Sequence, residues 1–147
     1  ALKTLADTAL DFDTSRIYPG IPEYFRADGR GMYHYLTGAA SWYMMTMITQ
    51  VFGVRGEAGD LLLQPKLTAA QFDAEGSASV HVTFAGRRLE IRCQNPGRLE
   101  YGQYRVQKVL CGDAELCAGS CDSVIIPRRV IEALPAEQKQ VFTVYLG

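Results

Sequence analysis

The feature of this sequence that most constrains its fold is a change of hydrophobic period near Gly53. Before this residue, apolar side chains either follow helical spacing or lie in a segment rich in Pro and Gly. After it, they alternate with polar side chains, which is typical of strands with one buried face. The pattern therefore predicts a helical and irregular first part and a strand-rich second part.

Two helices are predicted in the first part. The opening segment "ALKTLADTAL" has Leu and Ala at helical spacing. The second helix, from about Gly38 to Phe52, is apolar nearly all round, because Trp42 and the Met-rich stripe from Met44 to Met47 do not fit on one face. Such a helix is usually buried on most sides in a large structure. We therefore expect core positions for these side chains, and further helices outside this sequence.

The segment between the two helices, residues 11–35, contains two Pro, three Gly and many aromatic residues. A compact domain rarely keeps so long an irregular segment unless it has a function. Polar and aromatic side chains that could face a ligand or a sugar are Tyr18, Glu23, Tyr24, Arg26, Asp28, Arg30, His34 and Tyr35. The alternative is that the charges are solvated and the aromatic rings are packed.

The second part predicts five or six short strands separated by turn signals. They lie in "DLLLQPKL", in "SASVHVTFAGRRLEIRC" as a hairpin around Ala85-Gly86, and in "YGQYRVQKVLCG", "SVIIP" and "QVFTVYLG". A short helix is predicted at "RRVIEAL" and ends at Pro135. This pattern favours an antiparallel β-sandwich.

Composition excludes several function classes. Acidic and basic residues nearly cancel, 16 against 15, so the charge gives no case for binding nucleic acid or an anionic membrane. No signal peptide or confident membrane span is recognisable. The four cysteines, Cys93, Cys111, Cys117 and Cys121, match no CxxC pair. They predict reduced thiols in a cytoplasmic protein without a metal site, with a disulfide among the last three as the alternative.

The start of the second helix is a candidate anion site. Thr37 is placed to act as the N-cap, and the first turn, from Gly38 to Ser41, contains no acidic residue. The positive end of the helix dipole is therefore left for another anion, and Gly38 would let it approach the backbone closely. This arrangement suits phosphate or sulfate. The alternative is an ordinary capped helix whose small residues allow tight packing.

Five segments, taken together, resemble a known family. They are "YPGIPEYF", "GRGMYHYLTGAASW", "FGVRGEAGDLLLQPKL", "FAGRRLEI" and "QNPG", and they occur in this order between residues 18 and 97. Because of these segments and their order, the chain resembles the C-terminal part of inverting glycoside phosphorylases of the cellobiose and cellodextrin phosphorylase type. The group includes the related region of cyclic β-1,2-glucan synthases.

The resemblance implies a fold and a division into domains. The implied fold class is an α+β fragment, with the last helices of an (α/α)6 barrel followed by a small antiparallel β-sandwich of jelly-roll type. Residues 1–56 would form the end of the catalytic barrel with an active-site loop, and residues 57–147 the C-terminal sandwich. The complete enzyme would be several times longer and would form a homodimer.

The resemblance also implies a reaction. Inorganic phosphate attacks the anomeric carbon of a β-linked gluco-oligosaccharide, an Asp protonates the glycosidic oxygen, and the product is α-glucose 1-phosphate with inverted configuration. Phosphate is the co-substrate, and no cofactor or metal is implied.

The site residues carried over are Thr37 and Gly38 for phosphate, with Tyr18, Glu23 and Arg30 nominated beside the acceptor sugar. No catalytic residue is assigned in this chain, because the general acid lies upstream in the family. The isolated chain is thus expected to be inactive and to need the rest of its own catalytic domain.

Two other functions remain open from the sequence. One is a free-standing, non-catalytic carbohydrate-binding or structural module, which should fold alone. The other is the region of a cyclic β-glucan synthase that controls chain length.

Overall fold

The structure, a computed structural model, describes residues 2–17, 21–33 and 38–147. The chain forms two compact units, one ending at Thr46 and the other covering Met47–Gly147. The elements of the first unit are α1 (Leu2–Leu10), α2 (Phe12–Ser15), β1 (Tyr24–Phe25), β2 (Gly31–Met32) and α3 (Ala39–Thr46).

Short-range hydrogen bonds define the start and end of α2. The Asp11 side chain accepts from the backbone N–H of Thr14, 3.3 Å away, which satisfies one of the free donors at a helix start. Arg16 then adopts a left-handed conformation, with φ of 57°, and ends the helix. The predicted irregular segment thus contains one helical turn as well as the two-residue ladder of β1 and β2.

Helix α3 is shorter and more exposed than its apolar sequence predicts. It spans eight residues and continues as a π-helical turn, Met47–Val51, which belongs to the second unit. None of the α3 side chains is buried, and Trp42 is 67% exposed. The expected core positions of Trp42, Met44 and Met45 are therefore wrong. Apolar side chains all round a helix need neighbours on every side, and no other helix in the described residues exceeds nine residues.

The second unit contains two sheets. Its strands are β3 (Val54–Glu57), β4 (Asp60–Leu63), β5 (Ser77–Phe84), β6 (Arg87–Gln94), β7 (Val106–Cys111), β8 (Ala114–Cys121), β9 (Val124–Ile126) and β10 (Gln140–Leu146). One sheet has the order β5-β6-β10-β7-β8, and the other has the order β3-β4-β9. A 3-10 turn, Ala69–Gln71, and helix α4, Arg128–Glu132, lie between strands.

Two tight hairpins explain how short loops set the strand register. The β5–β6 hairpin turns at Ala85 and Gly86, and the β3–β4 hairpin turns at Ala58 and Gly59. Both residues of each loop have positive φ, between 47° and 95°, as the type I′ turns that match strand twist require. The predicted hairpin around Ala85-Gly86 is confirmed.

The five-stranded sheet is mixed rather than antiparallel. Strand β10 lies between β6 and β7 and runs parallel to β6, from the pair Gln140↔Leu89 to the pair Tyr145↔Gln94. Such a connection needs a long crossover, and here the chain from β6 to β10 includes α4 and three strands. Periodicity identifies strands but carries no information on their relative direction.

Apolar residues of both sheets form the core of the second unit. The fully buried positions are Leu61, Leu63, Leu67, Leu89, Ile91, Val106, Val109, Ile126, Ile131, Phe142 and Val144. Helix α4 contributes Ile131, and its C-terminal carbonyls receive the side chain of Arg87, which donates to Leu134 and Glu132 at 2.7 and 2.6 Å. This contact ties the helix to the start of β6.

The predicted fold class is therefore wrong. The described residues form four short helices and ten strands in three sheets, without the helices of an (α/α)6 barrel. The apolar run after Gly38 gives only eight α-helical residues before the chain turns at Gly53, with φ of +66°, into β3. No helix in the described part of the chain is long and apolar enough to cross a membrane.

Candidate functional site

The structure places Gly38 directly at the start of α3, while Thr37 and Tyr18 lie outside the described residues. The Gly38 carbonyl accepts the first helical hydrogen bond, from the Trp42 N–H at 2.9 Å, so Gly38 occupies the N-cap position. The prediction that the N-cap is one residue earlier, at position 37, is therefore wrong. The first turn of α3 carries no acidic side chain, as the sequence predicts. The partial positive charge of the helix start is therefore not offset by a carboxylate within that turn.

The small size of Gly38 has a second, steric consequence. A Cβ at this position would lie 3.0 Å from Cδ1 and 3.2 Å from Nε1 of Trp42, closer than ordinary van der Waals contact. The indole ring thus lies against the helix start, and its N–H is beside the N-cap backbone. This contact gives Gly38 a packing role in addition to any role in letting a ligand approach.

Glu23 and Arg30 belong to one hairpin but lie at its opposite ends. Glu23 precedes β1, and its N–H donates to the carbonyls of Met32 and Tyr33 at 3.1 and 3.0 Å. Arg30 lies at the turn, where its N–H donates to the Asp28 carboxylate at 3.2 Å. Both side chains are exposed. The structure therefore does not bring the two nominated residues together.

The same hairpin forms an aromatic pair that the sequence analysis missed. The rings of Tyr24 and Tyr33 have centroids 5.6 Å apart, and both are at least half exposed. Tyr33 adopts a left-handed conformation, with φ of 51°, which is uncommon for a bulky residue. Strand pairing of Tyr24 with Met32 places Tyr33 beside Tyr24, and a predicted hairpin at this point would have revealed the pair.

The second unit contains an open groove of about 410 Å³. Tyr101, Arg105 and Asp122 line it together with Gln64 and Pro65, which follow β4, and Gly147. Arg105 Nη1 and Asp122 Oδ1 are 3.5 Å apart, and the ring of Tyr101 is 56% exposed. The groove thus combines an exposed aromatic ring with one cationic and one anionic side chain, whose charges nearly cancel. Such a surface suits an uncharged polar ligand.

A buried carboxylate on the five-stranded sheet is the strongest electrostatic feature of the described residues. Glu90 is 4% exposed, and its two oxygens contact Arg92 Nη2 and Lys139 Nζ, each at 2.5 Å. His81 Nε2 lies 3.4 Å from the second oxygen. The hydrogen bonds from Lys139 and then Arg92 outweigh desolvation and lower the pKa of Glu90 to about 2. Glu90 is therefore ionised at neutral pH.

The four cysteines are free thiols, as predicted. Cys93 is completely buried, and desolvation raises its pKa to about 12, so this thiol is inert in the folded protein. Among the described residues, no group of three or more His, Cys, Asp or Glu side chains is arranged to hold a metal ion.

Comparison with known proteins assigns no family. No protein-family model matches the chain, and no curated protein matches it.

Proposed function

We propose that this chain is part of an inverting glycoside phosphorylase that cleaves β-linked gluco-oligosaccharides with inorganic phosphate and releases α-glucose 1-phosphate. The observation that carries the proposal is the start of α3, where Gly38 forms the N-cap and the first turn has no acidic side chain. This helix start lies inside "GRGMYHYLTGAASW", one of the five segments that resemble the phosphorylase family.

Phosphate would bind at Thr37 and Gly38. The helix start offers partial positive charge, and the Thr37 hydroxyl offers a further hydrogen bond. Phosphate is already a nucleophile at neutral pH, so the reaction needs a positioned anion and a proton donor for the leaving oxygen, and it needs no general base. The proton donor would come from another part of the same polypeptide.

The hairpin of β1 and β2 would supply the sugar-facing side. Exposed aromatic rings bind the apolar faces of sugars, and the Tyr24–Tyr33 pair offers such a surface. Glu23 precedes β1 and can accept hydrogen bonds from sugar hydroxyls, while Arg30 at the turn can donate them. Tyr18 is retained as a further candidate beside the acceptor sugar.

The remaining parts of the proposal follow from the resemblance. The enzyme would act in the cytoplasm as a homodimer, without a cofactor, and inorganic phosphate would be its co-substrate. Nucleic acid and membranes would not be partners, in keeping with the near-zero net charge of -1.

The test is phosphate-dependent release of sugar 1-phosphate from a β-gluco-oligosaccharide by the complete polypeptide that contains this sequence. Thr37→Val should raise the KM for phosphate about tenfold or more, because it removes a hydrogen bond to a charged group. Thr46→Val, at the other end of α3, is the matched control and should leave the KM unchanged. A Thr37→Val enzyme with unaltered phosphate kinetics, or an active isolated chain, would contradict the proposal.

A second candidate function is a non-catalytic carbohydrate-binding module. The observation that favours it is the groove lined by Tyr101, Arg105 and Asp122, which lies wholly in the unit Met47–Gly147. A cello-oligosaccharide should then bind to the isolated 147-residue chain and lose affinity in Tyr101→Ala. Absence of binding would eliminate this function while leaving the phosphorylase proposal intact.

A further inference from the structure

The face of the five-stranded sheet that carries Glu90 has an unusual concentration of positive charge. Arg88 and Arg92 lie on β6 with Glu90 between them, and alternation along the strand directs all three to one face. Lys139 precedes β10, whose first residue Gln140 pairs with Leu89, so Lys139 lies next to Arg88. Three cationic side chains therefore accompany one carboxylate.

Two of these cations, Arg88 and Lys139, border an open cavity of about 320 Å³. Its lining residues are His81, Val82, Thr83, Arg88, Leu89 and Lys139. The strand register fixes the arrangement, because Thr83 pairs with Arg88 and His81 pairs with Glu90 across the β5–β6 ladder. The polar groups thus stand on a rigid hydrogen-bonded framework rather than on a loop.

The contacts with Glu90 and with the backbone leave several N–H donors of Lys139 and Arg88 available to a ligand. Lys139 has three N–H donors, and the contact with Glu90 at 2.5 Å occupies one of them. Arg88 has five donors, and its Nη2 donates to the Glu137 carbonyl at 3.0 Å. The Thr83 hydroxyl and the His81 ring lie on the same wall. The cavity therefore offers several donors and a local excess of positive charge.

We propose that this cavity binds a small dianion carrying a phosphoryl group, either inorganic phosphate or a phosphate monoester. Arg88 and Lys139 would contact the phosphoryl oxygens directly, with Thr83 and His81 completing the wall. A dianion would neutralise the two positive charges that remain after Glu90 has balanced one. Glu90 is a positioning residue, because it fixes Lys139 and Arg92 without facing the anion itself.

The proposal goes beyond the proposed function and does not depend on it. Every residue of the cavity belongs to the unit Met47–Gly147, whereas Gly38 at the start of α3 belongs to the other unit. A second anion site would make phosphate or a phosphorylated sugar a regulatory or accessory ligand of the protein.

The experiment is a nuclear magnetic resonance titration of the 147-residue chain with inorganic phosphate and, separately, with methyl phosphate, at constant ionic strength. Chloride serves as the control anion. The amide signals of Thr83, Leu89 and Gln140 should shift and saturate with at least one of the two phosphoryl ligands. The tighter ligand tells whether the site prefers free phosphate or an ester.

Three variants locate the site. Lys139→Met and Arg88→Gln should each weaken binding about tenfold, since each removes a charged donor. Lys108→Met is the matched control, because Lys108 lies over the Tyr145 ring, 4.7 Å from its centroid, and not in the cavity. Thr37→Val should not change these signals, which separates this site from the one at α3.

Shifts that stay linear with both phosphoryl ligands, or that equal those caused by chloride, would overturn the proposal. Equal weakening by Lys108→Met and Lys139→Met would also overturn it, because the effect would then be one of overall charge. Correct folding of each variant is checked by the unchanged amide signals of β7 and β8.

Discussion

The two units of this chain use apolar side chains in opposite ways. In Met47–Gly147, sheet residues such as Ile91 and Phe142 are completely buried. In the unit that ends at Thr46, α3 is the most apolar helix, yet it buries no side chain. Burial of apolar surface is the main driving force of folding. The strand-rich unit therefore holds most of the stability. The other unit buries Ala9 and Ile17 but exposes most of its large apolar and aromatic side chains.

This difference shows that exposed apolar and aromatic groups are concentrated in the first unit, while the second unit contributes most of the packed core. The exposed groups of the first unit include the Trp42 ring beside the helix start and the Tyr24–Tyr33 pair. The second unit exposes mainly charged and polar side chains over its packed sheets. We expect substitutions of equal size to have very different effects in the two units.

The largest expected difference in the free energy of unfolding is between two aromatic-to-Ala substitutions, one in each unit. Phe142→Ala removes a completely buried ring from β10 and should lower the free energy of unfolding by about 3–5 kcal/mol. Trp42→Ala removes a larger ring that is mostly exposed, and the expected change is within about 0.5 kcal/mol. Urea unfolding followed by far-ultraviolet circular dichroism measures both. Comparable losses in the two variants would refute the contrast between the units.

The next effect concerns acid stability and Glu90. Its pKa is lowered in the folded state, so its ionised form stabilises the fold above the ordinary carboxyl pKa. This contribution is lost as the pH falls from about 4.5 towards about 2. Because Arg92 and Lys139 are nearly half exposed, solvent screening reduces the contribution to on the order of 1–2 kcal/mol. Unfolding free energies measured at several pH values test this slope.

Glu90→Gln should flatten that part of the pH profile. The control comes from the first unit, where Arg26 and Asp28 form an ion pair at 3.1 Å with both side chains about half exposed. Asp28→Asn should change stability by no more than about 0.5 kcal/mol at any pH. A Glu90→Gln profile as steep as that of the unaltered protein would mean that other carboxylates dominate acid unfolding.

Local pattern was enough to predict much of the strand-rich unit. The β5–β6 hairpin, β7, β9, β10 and α4 all follow from alternation and from turn residues. Strand β8 is not predicted, because "AELCAGSC" has a weak β-propensity and no regular alternation. The parallel pairing of β10 with β6 is not predicted either, because the paired residues are distant in sequence.

The first unit was harder to predict, for a physical reason. The all-round apolar sequence of α3 indicates what the helix would bury in suitable surroundings, but it does not say whether the chain supplies them. The sequence predicts the helix start within one residue, at Thr37 rather than Gly38. It does not predict the contact of Gly38 with Trp42, because an apolar ring in an apolar helix is expected in the core. The Tyr24–Tyr33 pair depends on a two-residue ladder that is too short to give a periodic signal.

The smallest effect distinguishes a buried hydroxyl from an exposed one. Tyr104 is buried, and its hydroxyl donates to the Leu67 carbonyl at 2.9 Å, which connects two loops of the second unit. Burial raises the pKa of this phenol, so it remains a neutral donor at ordinary pH.

Tyr104→Phe should cost about 0.5–1.5 kcal/mol, because the Leu67 carbonyl loses its partner away from water. Tyr33→Phe, in the exposed pair of the first unit, should change stability by less than about 0.5 kcal/mol. If the two substitutions lower the free energy of unfolding equally, the Tyr104 hydroxyl is as well stabilised by hydrogen bonds to water in the unfolded chain as by its bond to the Leu67 carbonyl in the folded one. That hydrogen bond would then add nothing to the stability of the second unit beyond the packing of the Tyr104 ring.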